Sequence, residues 1–431
     1  MNIEKLYEAF LASKGISTDT RTIEEGTLFV ALKGETFDAN TMIAQALEKG
    51  ASHVLTTDSA YQNNPKATVV PDTLVALQQL ASYHRQQLNI PIIGITGTNG
   101  KTTTKELVSA VLRKKYNVYN TKGNLNNHIG VPLSLLSITS EHDIAVIEMG
   151  ASHLGEIAEL AAIVNPTAGL ITNVGIAHIQ GFGSFEGVKK TKGELYLQLK
   201  KTNGTIFINA TNEHLVGMLA DYDHTISYGT DMEQCLVDGH VVEMSETLNF
   251  EWRYNNANYR TVHTHLTGAY NLENALAAVT VGSFYGVTEA DICEAISDYV
   301  PSNNRSQIVK TSRNRLVLDA YNANPSSMNA SIDNFASLPG ENKTLVLGAM
   351  RELGSEQDAQ HLAILQKINK LGFELVYLVG DEFKTFAAQY PTYKIVSKVE
   401  ELYDDMQKLS GKYILIKGSR SNKLEQLTDK L

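Results

Sequence analysis

Residues 90–104, IPIIGITGTNGKTTT, contain the pattern on which the interpretation of the whole chain depends. Positions 90–95 are almost uninterruptedly apolar, which is typical of a buried strand in a parallel sheet. A turn with Gly97 and Gly100 follows, and Lys101 opens a segment whose apolar residues recur at helical spacing. At such a strand–turn–helix junction, backbone N–H groups bind phosphate, a lysine adds a cation and a threonine hydroxyl can hold Mg²⁺. The stretch therefore predicts a nucleotide-binding loop.

The match to the strict phosphate-loop pattern G-x-x-x-x-G-K-[ST] is imperfect, because its first glycine falls on Ile95 and Gly94 lies one residue early. The alternative is an ordinary tight turn. That alternative leaves Lys101 unexplained, since the helix dipole disfavours a cation at a helix start. The predicted ATP-binding residues of the loop are Gly97, Thr98, Asn99, Gly100, Lys101, Thr102 and Thr103.

Length and composition limit the class of protein. A chain of 431 residues is too long for one core and suggests two to four domains. No apolar run reaches the ~20 residues that a membrane span needs, and the N-terminal stretch lacks the layout of a signal peptide. A net charge of −10 argues against nucleic-acid binding. Cys235 and Cys293 show no C-x-x-C spacing, so we expect a reducing, cytoplasmic location and neither disulfides nor a thiolate zinc site.

The order of apolar runs predicts an α/β protein with three domains. Residues 1–88 mix short strands with helices, one of them expected over residues 73–87, and form a small N-terminal domain. Residues 89–305 alternate strand and helix as in a mostly parallel sheet, with an antiparallel part over residues 204–267. Residues 306–431 start a second alternating, Rossmann-like unit that lacks G-x-G-x-x-G, so a bound dinucleotide is not expected there.

Polar residues close several predicted strands, at the edge of the sheet where ligands bind in such folds. Glu148 ends one apolar strand and His178 follows another, so both are expected to converge with Lys101. Glu148 is suited to Mg²⁺, a hard cation that prefers oxygen, with a strand-end salt bridge as the alternative. A lone histidine usually has a structural role. His178 is a candidate site residue only because it follows a strand at this edge of the sheet. Asp319 lies at a strand end of the last domain.

Two further groups stay open at this point. Asn271 and Asn274 lie one turn apart on a predicted helix, where they either read a nucleotide base or cap the helix. Thr20, Arg21 and Lys33 lie in turns around the first strand, where they are either solvated or part of a binding site.

The motifs together resemble the Mur ligases of peptidoglycan precursor synthesis. The resemblance rests on T-G-T-N-G-K-T-T (residues 96–103), N-N-x-x-G-x-P (126–132), E-M-G (148–150), N-V-G-x-A-H (173–178), K-G-E (192–194), G-x-x-N-x-x-N (268–274) and Arg305. D-A-Y-N-A-N-P-S-S-M (319–328), L-G-A-M-R-E-L-G (347–354) and K-G-S-R (417–420) resemble the branch that joins D-alanyl-D-alanine to UDP-N-acetylmuramoyl-tripeptide. Residues 20–34 resemble that branch's uridine-nucleotide-binding domain.

The resemblance implies an ATP- and Mg²⁺-dependent amide ligase that acts through an acyl phosphate. We expect a monomer. It implies that Thr102, Glu148, His178 and Lys192 hold metal, with Lys192 carbamylated. Asn271, Asn274, Arg305 and Asp319 would contact ATP. The substrates would meet Thr20, Arg21, Lys33, Asn126, Asn127, Ser152, Asn322, Asn324 and Ser326. Two positions depart from the family pattern: Ala349 replaces an aspartate, and Asn40 lies in D-A-N-T-M instead of D-G-H-x-F.

Three alternatives remain. The chain could be a Mur-type ligase that forms the tripeptide, or a ligase like folylpolyglutamate synthase. The ~88 residues before the phosphate loop argue against the second of these, because that enzyme begins directly with the phosphate-loop domain. It could also be a nucleotide-binding regulatory module without ligase activity. A module of that kind would be expected to lack the predicted metal-binding residues, yet Glu148, His178 and Lys192 are present.

Overall fold

The computed structural model describes residues 2–302 and 304–431, which form three sheets with helices packed on them. The sheets contain four, nine and six strands and follow one another along the chain. The predicted α/β class with three domains is confirmed. Within the described part of the chain, no helix is both long and apolar enough to cross a lipid bilayer.

The first sheet is small and parallel, in the order β1-β2-β3-β4. Its strands are β1 (Ile16–Ser17), β2 (Leu28–Val30), β3 (His53–Thr56) and β4 (Ala67–Val69). Its helices are α1 (Ile3–Leu11), α2 (Ile43–Glu48) and α3 (Thr73–Gln87). The bounds of α3 agree with the predicted helix because Asp72 caps it, accepting hydrogen bonds from the backbone N–H groups of Leu74 and Val75.

Helix α3 joins the first sheet to the central domain. Arg85, 8% exposed, lies in its last turn. Its guanidinium donates to the carbonyl oxygens of Val164 (2.9 Å) and Asn165 (3.1 Å) in the central domain and of Leu88 (3.0 Å). These carbonyls lie at helix ends and in a loop, where no helical N–H group satisfies them. Arg85 therefore fixes the N-terminal domain to the central one.

Arg85→Ala is expected to destabilise the protein by about 2 kcal/mol, because it leaves the buried carbonyl of Val164 and the partly buried carbonyls of Asn165 and Leu88 without this donor. The melting temperature should fall by a few degrees. Arg260, half exposed and paired with Glu289, is the matched control, since exposed ion pairs contribute little. Equal melting temperatures for the two variants would contradict the structural role of Arg85.

The central sheet has the order β13-β12-β11-β10-β9-β8-β5-β7-β6. Its strands are β5 (Ile92–Thr96), β6 (Val118–Asn120), β7 (Ile144–Glu148), β8 (Ala168–Ile171), β9 (Thr205–Asn209), β10 (Thr225–Thr230), β11 (Val237–Met244), β12 (Leu248–Tyr254) and β13 (Arg260–His263). Its helices are α4 (Lys101–Leu112), α5 (Gly130–Leu136), α6 (Glu156–Val164), α7 (Ile179–Phe182), α8 (Phe185–Lys201), α9 (Glu213–Leu219), α10 (Asn271–Phe284) and α11 (Glu289–Asp298).

The prediction that residues 204–267 are antiparallel is wrong for their first half. β9 continues the parallel sheet beside β8, and β10 and β11 add to it in parallel. The helix α9 between β9 and β10 is a crossover, which returns the chain in the same direction. Within residues 204–267, only β11, β12 and β13 pair antiparallel. Phe250 and Trp252 on β12 are fully buried, as their alternation with polar residues predicts.

The third sheet has the order β14-β15-β19-β16-β17-β18 and is parallel except for the edge strand β14. Its strands are β14 (Gln307–Lys310), β15 (Arg315–Asp319), β16 (Lys343–Gly348), β17 (Leu375–Val379), β18 (Lys394–Val396) and β19 (Tyr413–Lys417). Its helices are α12 (Pro325–Ser337), α13 (Gln357–Leu371) and α14 (Tyr403–Lys408). Asp319 and Lys417 are paired at the ends of neighbouring strands.

Candidate active site

A cavity of about 680 Å³ lies between the central and C-terminal domains, at the carboxyl ends of their strands. The predicted residues of the central domain that line it are residues 98–103, Asn126, Asn127, Glu148, Ser152, His178, Asn271, Asn274 and Arg305. Those of the C-terminal domain are Asp319, Asn322, Asn324 and Ser326. The parallel strands of both sheets thus bring residues more than 200 positions apart into one space.

The phosphate loop requires glycine at two positions. Gly97 has φ +142° and Gly100 has φ +78°, backbone conformations that other residues rarely adopt. A Cβ atom on Gly97 would lie 2.0 Å from Thr172 Oγ1, and one on Gly100 would lie 2.5 Å from Asn274 Oδ1. The loop is therefore held closely between the end of β8 and the start of α10.

Lys101 folds back over this loop. Its Nζ donates to the carbonyl oxygens of Gly97 (2.8 Å) and Thr98 (3.0 Å). Burial lowers the pKa of Lys101, the neighbouring Glu148 carboxylate raises it, and the Arg305 cation lowers it. A desolvated cation held by carbonyl dipoles at a helix N-terminus is well placed to attract a phosphate group.

Glu148, at the end of β7, is 2% exposed. One carboxylate oxygen accepts from Thr102 Oγ1 (3.0 Å) and the other from Asn126 Nδ2 (2.8 Å). Its backbone N–H donates to Thr121 Oγ1 (3.0 Å), which fixes the strand end. In the described residues no basic side chain forms an ion pair with Glu148, so the structure does not bear out the alternative of a strand-end salt bridge. The arrangement leaves a buried carboxylate with hydrogen bonds alone.

Lys192 lies on α8 and is 2% exposed, outside the lining of the cavity but next to it. Its Nζ lies 3.4 Å from the carbonyl oxygen of Ala151 and 5.3 Å from the centre of the Phe182 ring. Burial holds the pKa of Lys192 well below its usual value, and the cation of Lys101 lowers it further. Such an environment favours a neutral, nucleophilic amine.

His178 faces the C-terminal domain. Its Nδ1 contacts the carboxylate of Glu352, and the backbone N–H of Gln180 donates to the Glu352 carbonyl (3.3 Å). His178 and Glu352 both have positive φ angles, 49° and 62°, which are uncommon away from glycine and are found at functional sites. Burial is the largest of the causes that lower the pKa of His178.

Asn271 and Asn274 line the cavity but also bond within the protein. Asn271 Nδ2 donates to the Thr267 carbonyl (2.7 Å), and Asn274 Nδ2 donates to Asn271 Oδ1 (2.8 Å). Asn274 Oδ1 accepts from Thr104 Oγ1 (3.0 Å). The pair therefore holds the first turn of α10 against α4, while its contact with adenine stays a prediction.

The C-terminal domain contributes a carboxylate and an aromatic ring, and Arg305 of the central domain lies against the ring. The Arg305 guanidinium lies 3.7 Å from the centre of the Tyr321 ring. One oxygen of Asp319 accepts from Lys417 Nζ (2.6 Å) and from Ser331 Oγ (3.1 Å). These contacts hold Arg305 and Asp319 on the wall where the central and C-terminal domains meet.

The other predicted substrate residues differ in their surroundings. Asn127 accepts from the backbone N–H of Gly130 (2.8 Å), and Ser152 Oγ lies 3.1 Å from His153 Nδ1. Asn322 accepts from the backbone N–H of Ala323 (2.9 Å). Asn324 and Ser326 bond to Asn99 of the phosphate loop, and their contact with a substrate stays a prediction.

The predicted residues of the N-terminal domain do not line this cavity. The Thr20 carbonyl accepts from Lys49 Nζ (2.8 Å), Arg21 pairs with Asp19, and Lys33 lies 3.8 Å from Asp38. The structure brings none of these three to the phosphate loop, and their contact with a uridine nucleotide stays a prediction.

The two departures from the family pattern have structural consequences. Asn40 accepts from Thr56 Oγ1 (2.6 Å) and the backbone N–H of Thr57 (3.1 Å), so it ties its loop to the end of β3. Ala349 is fully buried, and its Cβ lies 2.6 Å from where a Cβ on Gly380 would be. The small side chain therefore fills the space against Gly380 and provides no polar contact.

Comparison with known proteins accounts for this arrangement. Three family models match successive parts of the chain: the Mur ligase family catalytic domain (residues 13–95), the Mur ligase middle domain (95–282) and the Mur ligase glutamate ligase domain (304–420). The UDP-N-acetylmuramoyl-tripeptide–D-alanyl-D-alanine ligase of Bacillus subtilis is 37% identical, over 97% of this chain and 93% of that protein. The chain belongs to the Mur ligase family.

Solved structures agree with this Mur ligase over its full length. A MurF crystal structure from Acinetobacter baumannii has a TM-score of 0.88 at 28% identity and covers 100% of this chain and 98% of that one. MurF from Thermotoga maritima in complex with ADP has a TM-score of 0.86 at 26% identity, covering 98% and 97%. The order of the three domains is therefore shared with ligases of known fold.

Sequence reasoning assigned no role to three residues that shape the site of this Mur ligase. Asn173 accepts the backbone N–H of Asn99 (3.0 Å), Tyr321 lies under Arg305, and Glu352 contacts His178. All three lie inside motifs that carry the family resemblance, and this position could have marked them as candidate site residues. Their partners come from distant parts of the chain, so the contacts themselves could not be read from local patterns.

Proposed function

We propose that this Mur ligase joins D-alanyl-D-alanine to UDP-N-acetylmuramoyl-tripeptide with ATP, in cytoplasmic peptidoglycan precursor synthesis, and that it acts as a monomer. The observation that carries the proposal is the cavity of about 680 Å³ that the phosphate loop shares with residues 319–326 of the C-terminal domain. Near-full-length similarity to ligases named for this reaction supports it. We assign residues 1–88 to the uridine nucleotide, 89–305 to ATP and 306–431 to the dipeptide.

ATP is needed because a carboxylate is a poor acylating agent. In the proposed reaction, the terminal carboxylate of the tripeptide attacks the γ-phosphate, ADP leaves, and an acyl phosphate forms. The amine of D-alanyl-D-alanine then displaces inorganic phosphate and loses a proton as the amide forms. Lys101 and Arg305 neutralise charge on the transferred phosphoryl group, since this step depends on alignment and electrostatics. Closure of the C-terminal domain excludes water from the acyl phosphate.

The residues around Glu148 fit a divalent cation. A buried carboxylate with two hydrogen bonds and no ion pair in the described residues retains charge that a hard cation can compensate. We propose that Thr102, Glu148, His178 and a carbamate on Lys192 hold Mg²⁺. When bound, Mg²⁺ supplies charge neutralisation for the phosphates and the substrate carboxylate. Lys192 fits its role because burial favours the neutral amine that reacts with carbon dioxide, losing a proton as the carbamate forms.

The proposed reaction is tested by phosphate release from ATP with UDP-N-acetylmuramoyl-tripeptide, with and without D-alanyl-D-alanine. Sustained release is expected only when both are present, because each supplies one reacting group. Mass spectrometry of the product should show the added dipeptide. UDP-N-acetylmuramoyl-dipeptide with a single amino acid serves as the control for the tripeptide-forming alternative. A folate with glutamate serves as the control for a ligase like folylpolyglutamate synthase.

The outcomes separate the alternatives. Turnover with the dipeptide nucleotide or with folate would replace the proposed substrates by those of a related ligase. Nucleotide binding without any turnover would favour the regulatory module.

A further inference from the structure

Three side chains form a closed ring of hydrogen bonds between the central and C-terminal domains. Asn99 Nδ2 donates to Ser326 Oγ (2.9 Å), Ser326 Oγ donates to Asn324 Oδ1 (3.0 Å), and Asn324 Nδ2 donates to Asn99 Oδ1 (2.8 Å). Each member donates once and accepts once within this interdomain ring. In a ring of this kind each hydrogen bond polarises the next, so removing one member also weakens the bond that is left.

Both sides of the interdomain ring are anchored to rigid elements. The backbone N–H of Asn99 donates to Asn173 Oδ1 (3.0 Å), and the Asn99 carbonyl accepts from Thr172 Oγ1 (2.6 Å). Asn324 is the N-cap of α12, where its Oδ1 also accepts from the backbone N–H of Ser327 (2.9 Å). The ring therefore connects the phosphate loop and the end of β8 directly to the start of α12.

The two surfaces are in close contact around the ring. A Cβ atom on Gly175 would lie 2.7 Å from Ser326 Oγ. The backbone N–H of Gly175 donates to Thr98 Oγ1 (3.0 Å), so the same segment also holds the phosphate loop. Asn324 is only 7% exposed, which limits competition from water for its hydrogen bonds. The ring can form only when the loop has this shape and the C-terminal domain is docked.

We propose that the interdomain ring couples nucleotide binding to docking of the C-terminal domain, with Asn99, Asn324 and Ser326 as positioning residues. The ring needs both an ordered phosphate loop and a docked C-terminal domain. Nucleotide binding that orders the loop therefore favours docking, and docking favours nucleotide binding to the same degree. The inference rests on the proposed function, in which ATP occupies the loop. It gives Asn324 and Ser326 a role in closure beside their predicted contact with a substrate.

The test is a double-mutant cycle of Asn99→Ala and Ser326→Ala. Calorimetry measures the affinity for a non-hydrolysable ATP analogue (AMPPNP) with Mg²⁺, and small-angle X-ray scattering measures compaction on binding. We expect each single variant to bind about tenfold more weakly, a typical effect of losing buried hydrogen bonds. The double variant should bind no more weakly than Asn99→Ala, because that substitution already removes both hydrogen bonds by which the ring crosses between the domains. The concentration of analogue needed for compaction should rise by the same factor.

Asn329→Ala is the matched control. Asn329 lies on the same helix, but its side chain contacts Pro325 and Lys367 instead of the phosphate loop. This variant should bind and compact like the wild type. Gly175→Ala is a second probe, since its methyl group would meet Ser326 Oγ; it should weaken binding in the wild type and much less in the Ser326→Ala background.

Unchanged affinity in both single variants, or a roughly hundredfold loss in the double variant, would overturn the coupling. A merely structural role would lower the melting temperature and leave affinity and compaction unchanged, which also counts against the proposal. The analogue experiment needs neither amino-acid substrate. A wild type that binds and compacts but releases no phosphate with the substrates would therefore overturn the proposed function alone.

Discussion

Lys101→Ala is expected to lower phosphate release roughly a thousandfold, the scale seen when a preorganised charge at a reacting group is removed. The lysine cation lies at the N-terminus of α4, within hydrogen-bond distance of the carbonyls of Gly97 and Thr98. Without it, the loop amides and the helix dipole still attract phosphate, but the charge that develops during transfer is less neutralised. We expect a larger effect on kcat than on binding of the nucleotide.

The control for this prediction is Lys114→Ala. Lys114 follows the same helix but pairs with Glu294 and does not line the cavity, so its variant should release phosphate at the wild-type rate. Circular dichroism and the melting temperature should show both variants folded. Undiminished turnover of a folded Lys101→Ala protein would remove the basis for the phosphate-loop interpretation.

Elements with strong local patterns could be predicted from the sequence. The helix over residues 73–87 and the strand ends at Glu148 and Asp319 agree with the structure, because caps and apolar runs are local features. The short strands β1, β14 and β18 were not predicted, since two to four residues give no periodicity. Each is defined by its pairing with a neighbouring strand (β1 with β2, β14 with β15, β18 with β17) and not by a pattern of its own.

In the site, too, the residues at strand ends could be predicted from local sequence patterns, whereas the contacts between domains could not. Lys101, Glu148 and His178 were expected at one sheet edge because parallel strands share it, and all three line one cavity. The contact of Glu352 with His178 and the link from Asn99 to the C-terminal domain were not predicted. Both contacts depend on how the C-terminal domain docks on the central domain. Hydrophobic periodicity in the sequence gives no information about that docking.

Lys192→Ala is expected to be nearly inactive and to be partly rescued by millimolar acetate or formate. Burial holds the pKa of Lys192 well below its usual value, so the neutral amine that reacts with carbon dioxide is available at a pH where an exposed lysine is charged. A carbamate would change a buried cation into an oxygen ligand. Alanine removes both the amine and the carbamate, and it leaves a space beside Ala151 and Phe182 that a small carboxylate can enter.

Lys190→Ala is the control for the rescue, because Lys190 lies on the same helix with an exposed side chain. That variant should keep wild-type phosphate release and show no response to acetate. A purely structural Lys192 would give a variant with a lower melting temperature whose activity acetate does not restore. Full activity of Lys192→Ala, or inactivity that no short carboxylate relieves, would contradict the carbamate. Since the carbamate forms only from the neutral amine, wild-type activity should also fall as the pH drops and Lys192 becomes protonated.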